Sequence, residues 1–236
     1  IVETGWDEIL ARAKAADIPV ILSDRAVDSD KSLYSTYMGS DFVEEGRRAA
    51  RWLVSQVDSG RIKTDVTSRS LNIVELQGTK GSAPAKGRHS GFFEIIDTTE
   101  GYQCIREEVA NFKLEDGQEM MDQILTQAEA SGQRIDVVYA HNDDMALGAI
   151  QAIEAHGLTP GKDVIVISVD ATKAALRAII LGKLNCAVEC TPLLGPQMMK
   201  AVSDSVKGKE LPIRIITEES VFTEENAKRM MEMRMY

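Results

Sequence analysis

The chain has few cysteines, few aromatic residues and no excess of positive charge. Of its 236 residues, 3 are cysteines and 5% are aromatic, and the formal net charge is -10. Such an acidic balance argues against binding to the phosphate backbone of nucleic acids, which depends on lysine and arginine. It also disfavours acidic ligands through long-range repulsion.

Long apolar runs and a recognisable leader are also missing. No apolar run approaches the roughly 20 residues that a membrane-spanning helix needs. The first six residues, IVETGW, contain neither an initiator methionine nor the basic segment of a secretory signal. We therefore expect a chain that has been processed, excised or truncated, and that does not itself span a membrane.

The three cysteines form no recognisable motif. Cys186 and Cys190 are four residues apart in a predicted strand, so they lie roughly 13 Å from each other, which is too far for a disulfide. The CxxC spacing typical of zinc and redox sites is absent. The sequence therefore predicts free, buried thiols, with no metal site and no cofactor.

Strand-like and helix-like hydrophobic patterns alternate along the chain. Strands are predicted at residues 18–22, 37–38, 71–76, 103–107, 135–140 and 164–169, and helices at 4–16, 41–57, 84–96, 117–130, 145–156 and 171–181. Thr4 with Asp7 predicts a capping box for the first helix, and Gly157 and Gly182 are predicted helix ends. This rhythm indicates an α/β fold of parallel sheets flanked by helices.

Polar side chains follow several of these predicted strands. Asn142 lies between the strand at 135–140 and the next helix, and Asp170 follows the strand at 164–169 directly. Asp24 and Arg25 follow the strand at 18–22, while Arg88 lies early in the helix after the strand at 71–76. Ligands of open α/β sheets collect beyond the carboxyl ends of the strands, and guanidinium, carboxylate and amide groups suit neighbouring hydroxyls. The set predicts a polyol site.

These residues also have purely structural interpretations, which the sequence leaves open. Asn142 or Asp143 could cap the helix that follows, and Asp170 could cap the helix at 171–181. The arginines could be solvated surface charges, for which a neighbouring carboxylate contributes little.

No catalytic motif accompanies the polar residues. Gly78 and Gly81 lack the GxxxxGK[ST] spacing of a phosphate-binding loop. His89, His141 and His156 are scattered, and no serine or cysteine lies in a recognisable nucleophile motif. We therefore expect a binding protein and not an enzyme.

Several segments in register resemble periplasmic sugar-binding proteins of the ribose-binding class. They are PVILSDR at 19–25, GSD at 39–41, ELQGT at 75–79, RHSGF at 88–92, VYAHNDDMALGAI at 138–150 and GKLN at 182–185. Within that class, VECTP at 188–192 and VFTEENA at 221–227 most resemble the galactofuranose-binding type. The similarity covers nearly the whole chain in order.

The resemblance implies a two-lobed type I periplasmic binding protein fold. Its two α/β lobes are joined by three crossover strands, close on a monosaccharide and dock to a membrane ABC permease. On this similarity, residues 1–39 and 191–212 form a truncated amino-terminal lobe, and residues 40–190 and 213–236 form the carboxy-terminal lobe. Hinges are expected near residues 39–40, 190–191 and 212–213.

The resemblance also implies which residues reach the sugar hydroxyls. They are Asp24 and Arg25 from the first lobe, and Arg88, Asn142 and Asp170 from the second. Glu189 or Cys190 would occupy the position of a further polar contact near a hinge. Glu189 is the better chemical candidate of these two.

Family members open with about three further βα units, roughly 90 residues, before the position of residue 1. Those units normally supply aromatic stacking residues, so we expect the aromatics that select the sugar to be absent. A sheet left so short would expose unpaired edges and apolar surface. We therefore expect a longer precursor, a partner polypeptide or self-association.

Two functions are compatible with this architecture. One is the substrate-binding component of a sugar ABC transporter, located in the periplasm or otherwise outside the cytoplasm, either secreted or held by a lipoprotein anchor. The alternative is the effector-binding core of a sugar-responsive transcription regulator. A regulator would carry a basic helix-turn-helix before residue 1. The segment 183–192 and the acidic balance favour the transport receptor.

Overall fold

A computed structural model of the protein describes residues 3–62 and 70–236. The helices are α1 Asp7–Ala15, α2 Phe42–Asp58, α3 Ala83–Ile96, α4 Leu114–Ser131, α5 Asp143–Ala155, α6 Lys173–Ile180, α7 Gly195–Val206 and α8 Ala227–Met231. The strands are β1 Ile21–Ser23, β2 Thr36–Gly39, β3 Leu71–Gln77, β4 Tyr102–Val109, β5 Val137–Ala140, β6 Ile165–Asp170, β7 Cys186–Glu189, β8 Arg214–Ile216 and β9 Val221–Phe222. None of the helices in these described ranges combines the length and apolar character that crossing a bilayer requires.

The chain divides into two compact units. Unit 1 consists of Ile1–Asp41 and Thr191–Glu219, and unit 2 consists of Phe42–Cys190 and Ser220–Tyr236. The last crossover therefore lies after Glu219, whereas the sequence places it near Pro212. The reason is that β8 pairs with β2 and so keeps its residues in unit 1.

Unit 1 has a parallel three-stranded sheet in the order β1-β2-β8. Its small core contains Met38, Leu194 and Ala201, against which Ile21 and Ile215 pack. Several large apolar side chains of this unit are exposed, including those of Ile18, Met199, Val206 and Ile216.

Unit 2 has a six-stranded sheet in the order β4-β3-β5-β6-β7-β9. All neighbouring strands are parallel except β9, which runs antiparallel to β7. One face packs against α4, α5, α6 and α8, and the other packs against α2 and α3. Strands covered on both faces are expected to be nearly continuously apolar, as β5 is throughout and β6 is apart from Ser168 and Asp170. The predicted α/β class, with helices flanking parallel sheets, is confirmed.

Glycines let α2 and α3 approach each other closely. A Cβ atom at Gly91 would lie 1.9 Å from the carbonyl oxygen of Val43, and one at Gly46 would lie 2.3 Å from that of Arg88. Such distances exclude any larger residue without movement of a helix. The close packing brings residues 45 and 88 of the two helices together.

The start of α1 and the start of β1 differ from the prediction, whereas two predicted helix ends agree with it. No side chain caps α1, which has Trp6 at its N-cap, so the predicted capping box at Thr4 is wrong. The strand expected at 18–22 begins only at Ile21. Gly157 and Gly182 have φ of 74° and 70° and follow helices α5 and α6, as predicted.

Cys104, Cys186 and Cys190 form no disulfide in the described residues, as the sequence predicts for Cys186 and Cys190. Cys186 is buried, whereas Cys104 and Cys190 are only half-buried. Burial raises the pKa of the Cys104 thiol to about 11, so this thiol is not a reactive thiolate near neutral pH.

Candidate functional site

Arg88 is buried in unit 2 and held by three groups. Its Nε donates to Oε2 of Glu45 at 2.7 Å, and one terminal nitrogen donates to the carbonyl oxygen of His141 at 2.5 Å. The other terminal nitrogen lies 3.5 Å from Oδ1 of Asp170. With only 3% of its surface exposed, Arg88 is not a solvated surface cation.

The charge of Arg88 is stabilised by its carboxylate neighbours. Burial by itself lowers the pKa of the Arg88 guanidinium, but Glu45 and Asp170 outweigh burial and raise the pKa above its usual value. The guanidinium also lies 5.7 Å from the ring centre of Phe42 and 6.0 Å from that of Phe112, which favours a cation. The group is therefore a fixed, permanently charged donor.

Local signals place Arg88 on the second turn of α3. Ser82 caps this helix, because its Oγ accepts from the amide nitrogen of Ala85 at 3.4 Å. Pro84 lies in the first turn, where its missing N–H costs nothing. The cap fixes where α3 starts, and this start directs the Arg88 side chain toward Glu45 and Asp170.

Asp170 ends β6 in an unusual conformation. Its φ is 111° and that of Ala171 is 61°, a geometry that side-chain-bearing residues adopt at a cost and mainly at functional positions. The turn delays α6, which starts at Lys173 and is capped by Thr172, not by Asp170. The interpretation of Asp170 as a helix cap is therefore wrong.

The Asp170 carboxylate faces both protein and solvent. Its side chain is 30% exposed on one side, and it lies near Arg88 on the other. Burial raises the pKa of Asp170 well above its usual range and Asp143 adds to the effect, while Arg88 opposes it. The exposed part leaves oxygen lone pairs available to a ligand.

Asn142 caps α5 and is buried. Its Oδ1 accepts from the amide nitrogen of Met145 at 3.0 Å, and its Nδ2 donates to the carbonyl oxygen of Phe112 at 3.2 Å. The structural interpretation of Asn142 as a cap is therefore confirmed. Because a carboxamide nitrogen carries two hydrogens, one N–H of Asn142 remains for a ligand after the bond to Phe112.

Asp143 supports the Asp170 turn, a role that the sequence does not reveal. Its carboxylate accepts from Oγ of Ser168 at 2.6 Å and from the amide nitrogen of Thr172 at 2.6 Å. Burial raises the pKa of Asp143 to about 6. Asp143 thus connects the start of α5 to both sides of Asp170, a contact that is invisible in the local pattern.

Phe112 supplies an aromatic ring beside Arg88. Asn111 and Phe112 both have positive φ, 52° and 62°, at the carboxyl end of β4. The half-buried ring lies over Gly78, where a Cβ atom would come within 1.9 Å of it. Phe112 is not among the sequence-predicted residues, although the strand-end rule that selected Asp170 applies equally to it.

Glu189 is bound by residues near the carboxyl terminus. Its Oε1 accepts from Arg234 at 2.5 Å and from the hydroxyl of Tyr236 at 3.1 Å, while Oε2 accepts from the amide nitrogen of Ser220 at 3.0 Å. Arg234 also donates through Nε to the carbonyl oxygen of Ala171 at 2.6 Å. Glu189 therefore connects to the Asp170 turn through Arg234.

Asp24 and Arg25 lie in unit 1, at the end of β1. Asp24 has φ 65°, and its carbonyl oxygen accepts from the hydroxyl of Tyr37 at 3.0 Å. Nε of Arg25 is 3.8 Å from Oδ2 of Asp24, with side chains 26% and 65% exposed. The sequence-predicted residues thus fall into two groups. Arg88, Asn142, Asp170 and Glu189 lie in unit 2, and the pair Asp24 and Arg25 lies in unit 1.

Comparisons with known proteins agree with the resemblance seen in the sequence. Residues 1–210 match the family described as periplasmic binding protein domain. The galactofuranose-binding protein YtfQ of Escherichia coli is 38% identical over 234 residues, which cover 98% of this chain and 70% of that protein. The chain spans 65% and 58% of two other curated sugar-import binding proteins. The predicted resemblance to the ribose-binding class and its galactofuranose-binding type is confirmed.

Two solved structures contain furanose sugars. A Mycobacterium smegmatis protein in complex with β-D-fucofuranose is 41% identical with a TM-score of 0.87, covering 97% of this chain and 72% of that chain. The periplasmic component of an arabinose ABC transporter from a Shewanella species, bound to α- and β-L-arabinofuranose, is 38% identical with a TM-score of 0.88. The match covers 99% of this chain and 74% of the Shewanella chain.

Proposed function

Because this chain belongs to the periplasmic binding protein domain family, we propose that it is the substrate-binding component of a sugar ABC transporter. The names of the Escherichia coli and Shewanella relatives describe binding proteins, and we propose binding without catalysis for this chain. The family implies a location outside the cytoplasm, and we propose delivery of the sugar to a membrane permease. Beyond the shared fold, nothing supports the regulator alternative.

The observation that carries this proposal is the group formed by Arg88, Asn142 and Asp170 at the carboxyl ends of neighbouring strands. Arg88 offers donors only and the Asp170 carboxyl group offers acceptor oxygens, whereas each sugar hydroxyl both donates and accepts. A guanidinium and a carboxylate side by side therefore suit neighbouring hydroxyls.

The charges in this group favour an uncharged ligand. Arg88 is already balanced by the carboxylate of Glu45 and faces that of Asp170, so no excess positive charge remains for a phosphate or carboxylate. Phe112 offers an apolar ring face beside the guanidinium, which suits the C–H side of a sugar ring. We propose a monosaccharide in furanose form, as in the two solved relatives.

The other sequence-predicted residues keep roles in this proposal. Asp24 and Arg25 are proposed as ligand contacts on the basis of family similarity, and their partial exposure is compatible with that role. Glu189 was predicted as a further contact. Its bonds to Arg234, Tyr236 and Ser220 favour a positioning role instead.

Calorimetry on the natural full-length protein tests the proposal. The titrants are methyl furanosides of galactose, arabinose and fucose, with the matching methyl pyranosides as controls, because a methyl glycoside cannot change its ring size. We expect binding of at least one furanoside and weaker or no binding of its pyranoside. Absence of binding to every monosaccharide would contradict transport-linked sugar recognition.

A further inference from the structure

Another cluster of polar side chains lies on the sheet of unit 2 beside the sugar group, and His141 contacts both Arg88 and this cluster. It contains Glu75 on β3, Glu107 on β4 and His89 on α3, and one ligand atom from each lies within 4.8 Å of the other two. Nδ1 of His89 is 2.9 Å from Oε2 of Glu75. Gln77 donates to Glu75 at 2.7 Å and to Glu107 at 3.2 Å. Three chain segments thus converge on one point.

A β-bulge brings Glu107 into this cluster. Ile73 pairs with Cys104, but the next residue, Val74, pairs with Arg106, so Ile105 is an extra residue on β4. Without the bulge, strand alternation would place Arg106 opposite Glu75, whereas with it Glu107 takes that place. Bulges commonly redirect a side chain next to functional sites. Here the bulge exchanges a cation for a carboxylate.

Glu75 is an ionised carboxylate in a buried position. Burial by itself raises its pKa, but hydrogen bonds from His141, His89 and Gln77 lower the pKa to about 2. His141 accepts from the amide nitrogen of Gly78 through Nδ1, so its proton is on Nε2 and points to Oε1 of Glu75 at 2.8 Å. This second interaction orients Glu75 and leaves its other oxygen toward His89.

The side chains of Glu107 and His89 are accessible to an ion from solvent. Glu107 is exposed and the His89 side chain is 39% exposed, so solvent has access. Nε2 of Gln77 lies between the two carboxylates and 3.5 Å from Nδ1 of His89, so Gln77 has to rotate away for an ion to bind. Rotations of His89 and Glu107 then bring their donor atoms to the zinc bonding distances of about 2.0–2.2 Å. When His89 loses its proton, two carboxylates face a neutral imidazole. Asp97 and Cys104 lie close by and supply no positive charge.

We propose that Glu75, His89 and Glu107 form a binding site for a divalent transition metal ion such as Zn²⁺. One imidazole and two carboxylates are a ligand set that zinc accepts, whereas calcium and magnesium take oxygen ligands. His141 holds Glu75 from behind, as outer ligands do in metal sites. The sequence predicts no metal site because its cysteines lack the spacing of metal ligands, and the three proposed ligands come together only in the fold.

The chain contains a matched control for this site. His156 also lies between two carboxylates, with Nδ1 at 2.7 Å from Glu129 and Nε2 at 3.0 Å from Asp122. Its two carboxylates face opposite sides of the imidazole ring, so one ion cannot bind the histidine and both carboxylates together. The His156→Ala variant therefore removes a comparable histidine without removing the proposed site.

The experiment is a metal titration of chelator-treated protein at pH 7.5 by calorimetry, with thermal stability and the visible absorption of Co²⁺ as further readouts. We expect one Zn²⁺ per chain, a higher melting temperature with Zn²⁺, and no effect of Mg²⁺. His89→Ala and Glu107→Gln are expected to weaken Zn²⁺ binding by about 10-fold or more, whereas His156→Ala leaves it unchanged. Zn²⁺ affinity is expected to fall from pH 7.5 to 5.5, because protons compete for His89.

Absence of stoichiometric Zn²⁺ binding to the wild-type protein would overturn the proposal. So would equal Zn²⁺ affinity of the wild-type and His89→Ala proteins, or loss of binding in His156→Ala. Circular dichroism checks that the variants are folded. If His89→Ala does not fold, Glu107→Gln tests the proposal instead, because it changes an exposed side chain. None of these results depends on whether the protein binds a sugar.

Discussion

Units 1 and 2 hold their candidate ligand residues in different ways. In unit 2, Arg88 is buried and bound by Glu45, His141 and Asp170. In unit 1, the Arg25 side chain is half-buried, the Asp24 side chain is exposed, and the two make a long contact at 3.8 Å. Ordering a long side chain costs up to about 2 kcal/mol of conformational entropy. In unit 2, folding has already ordered the Arg88 side chain, whereas in unit 1 the Arg25 side chain is ordered when the ligand binds. We therefore expect unit 2 to determine most of the affinity.

Removing Arg88, the buried residue of unit 2, is expected to have the largest effect. Arg88→Ala leaves the Glu45 carboxylate buried without its cation, and loss of one member of a buried ion pair typically costs about 3–5 kcal/mol. We expect a loss of that size in the free energy of unfolding, measured by urea denaturation, together with loss of sugar binding. Arg61→Ala is the control, because Arg61 pairs with Glu225 at the surface and should change stability by under about 1 kcal/mol. Equal effects of the two variants would contradict the anchored role of Arg88.

Asp170 separates ligand binding from stability within unit 2. Asp170→Ala removes a carboxylate proposed to accept from sugar hydroxyls, and loss of a charged hydrogen-bonding partner costs on the order of 2 kcal/mol. We expect sugar affinity to fall by that amount in calorimetry. Asp170→Gly is a useful companion, because it also relieves the positive φ, and it should be more stable than Asp170→Ala. An alanine variant that binds sugar unchanged would exclude Asp170 from the site.

Arg234 tests whether contacts to the Asp170 turn from outside the sugar group affect sugar binding by unit 2. Its guanidinium bonds to Glu189 and to the carbonyl oxygen of Ala171, so Arg234→Ala should loosen the Asp170 turn. We expect sugar affinity to fall by about 1 kcal/mol, roughly the net value of one hydrogen bond. Met235→Ala is the control, since that residue is 72% exposed. Equal sugar affinities of the two variants would remove Arg234 from the support of the site.

Arg25→Ala tests the contribution of unit 1, and we expect it to have the smallest effect on sugar affinity. Arg25→Ala should leave the free energy of unfolding unchanged within about 0.5 kcal/mol, because its contact with the exposed Asp24 carboxylate is long. We expect a loss of sugar affinity below that of Asp170→Ala, measured by the same calorimetry. A larger loss than for Asp170→Ala would reverse the comparison between the units.

The pH dependence of stability offers a finer test of the Asp170 turn. The folded-state pKa of Asp143 is about 6, above the ordinary value of 3.8, so the folded protein binds more protons than the unfolded chain between these values. This group therefore adds stability as pH falls from about 6 to 4 and opposes folding above pH 6. We expect Asp143→Asn to flatten that part of the stability–pH curve in chemical denaturation. A curve unchanged by the substitution would show that Asp143 does not titrate there.

Much of unit 2 could be predicted from the sequence. Strands β3 and β6 and helix α2 were predicted to within about a residue at each end, because their burial leaves a clear periodic pattern. The positions of Arg88 and Asp170 followed from the rule that ligands collect at the carboxyl ends of parallel strands. These inferences use local patterns and one topological rule.

The remaining features depend on contacts that no local pattern records. Glu45 is 43 residues from its partner Arg88, and the choice between a ligand role and a cap for Asp170 depends on a positive φ. Phe112 shares that difficulty, because its backbone conformation is not evident from its residue type. In unit 1, short strands and a small core leave little periodic signal, which explains why β1 was placed three residues too early.

The pairing of β2 with β8 has a consequence for the order in which the chain folds during synthesis. Ser40 and Thr217, next to this pairing, are separated by 177 residues, and β3 to β7 of unit 2 lie between them in the sequence. The sheet of unit 1 cannot be completed until β8 leaves the ribosome, when most of unit 2 has already emerged. Closing so long a loop is also slow on refolding. Unit 1 is therefore expected to be the last part of the chain to become resistant to proteolysis.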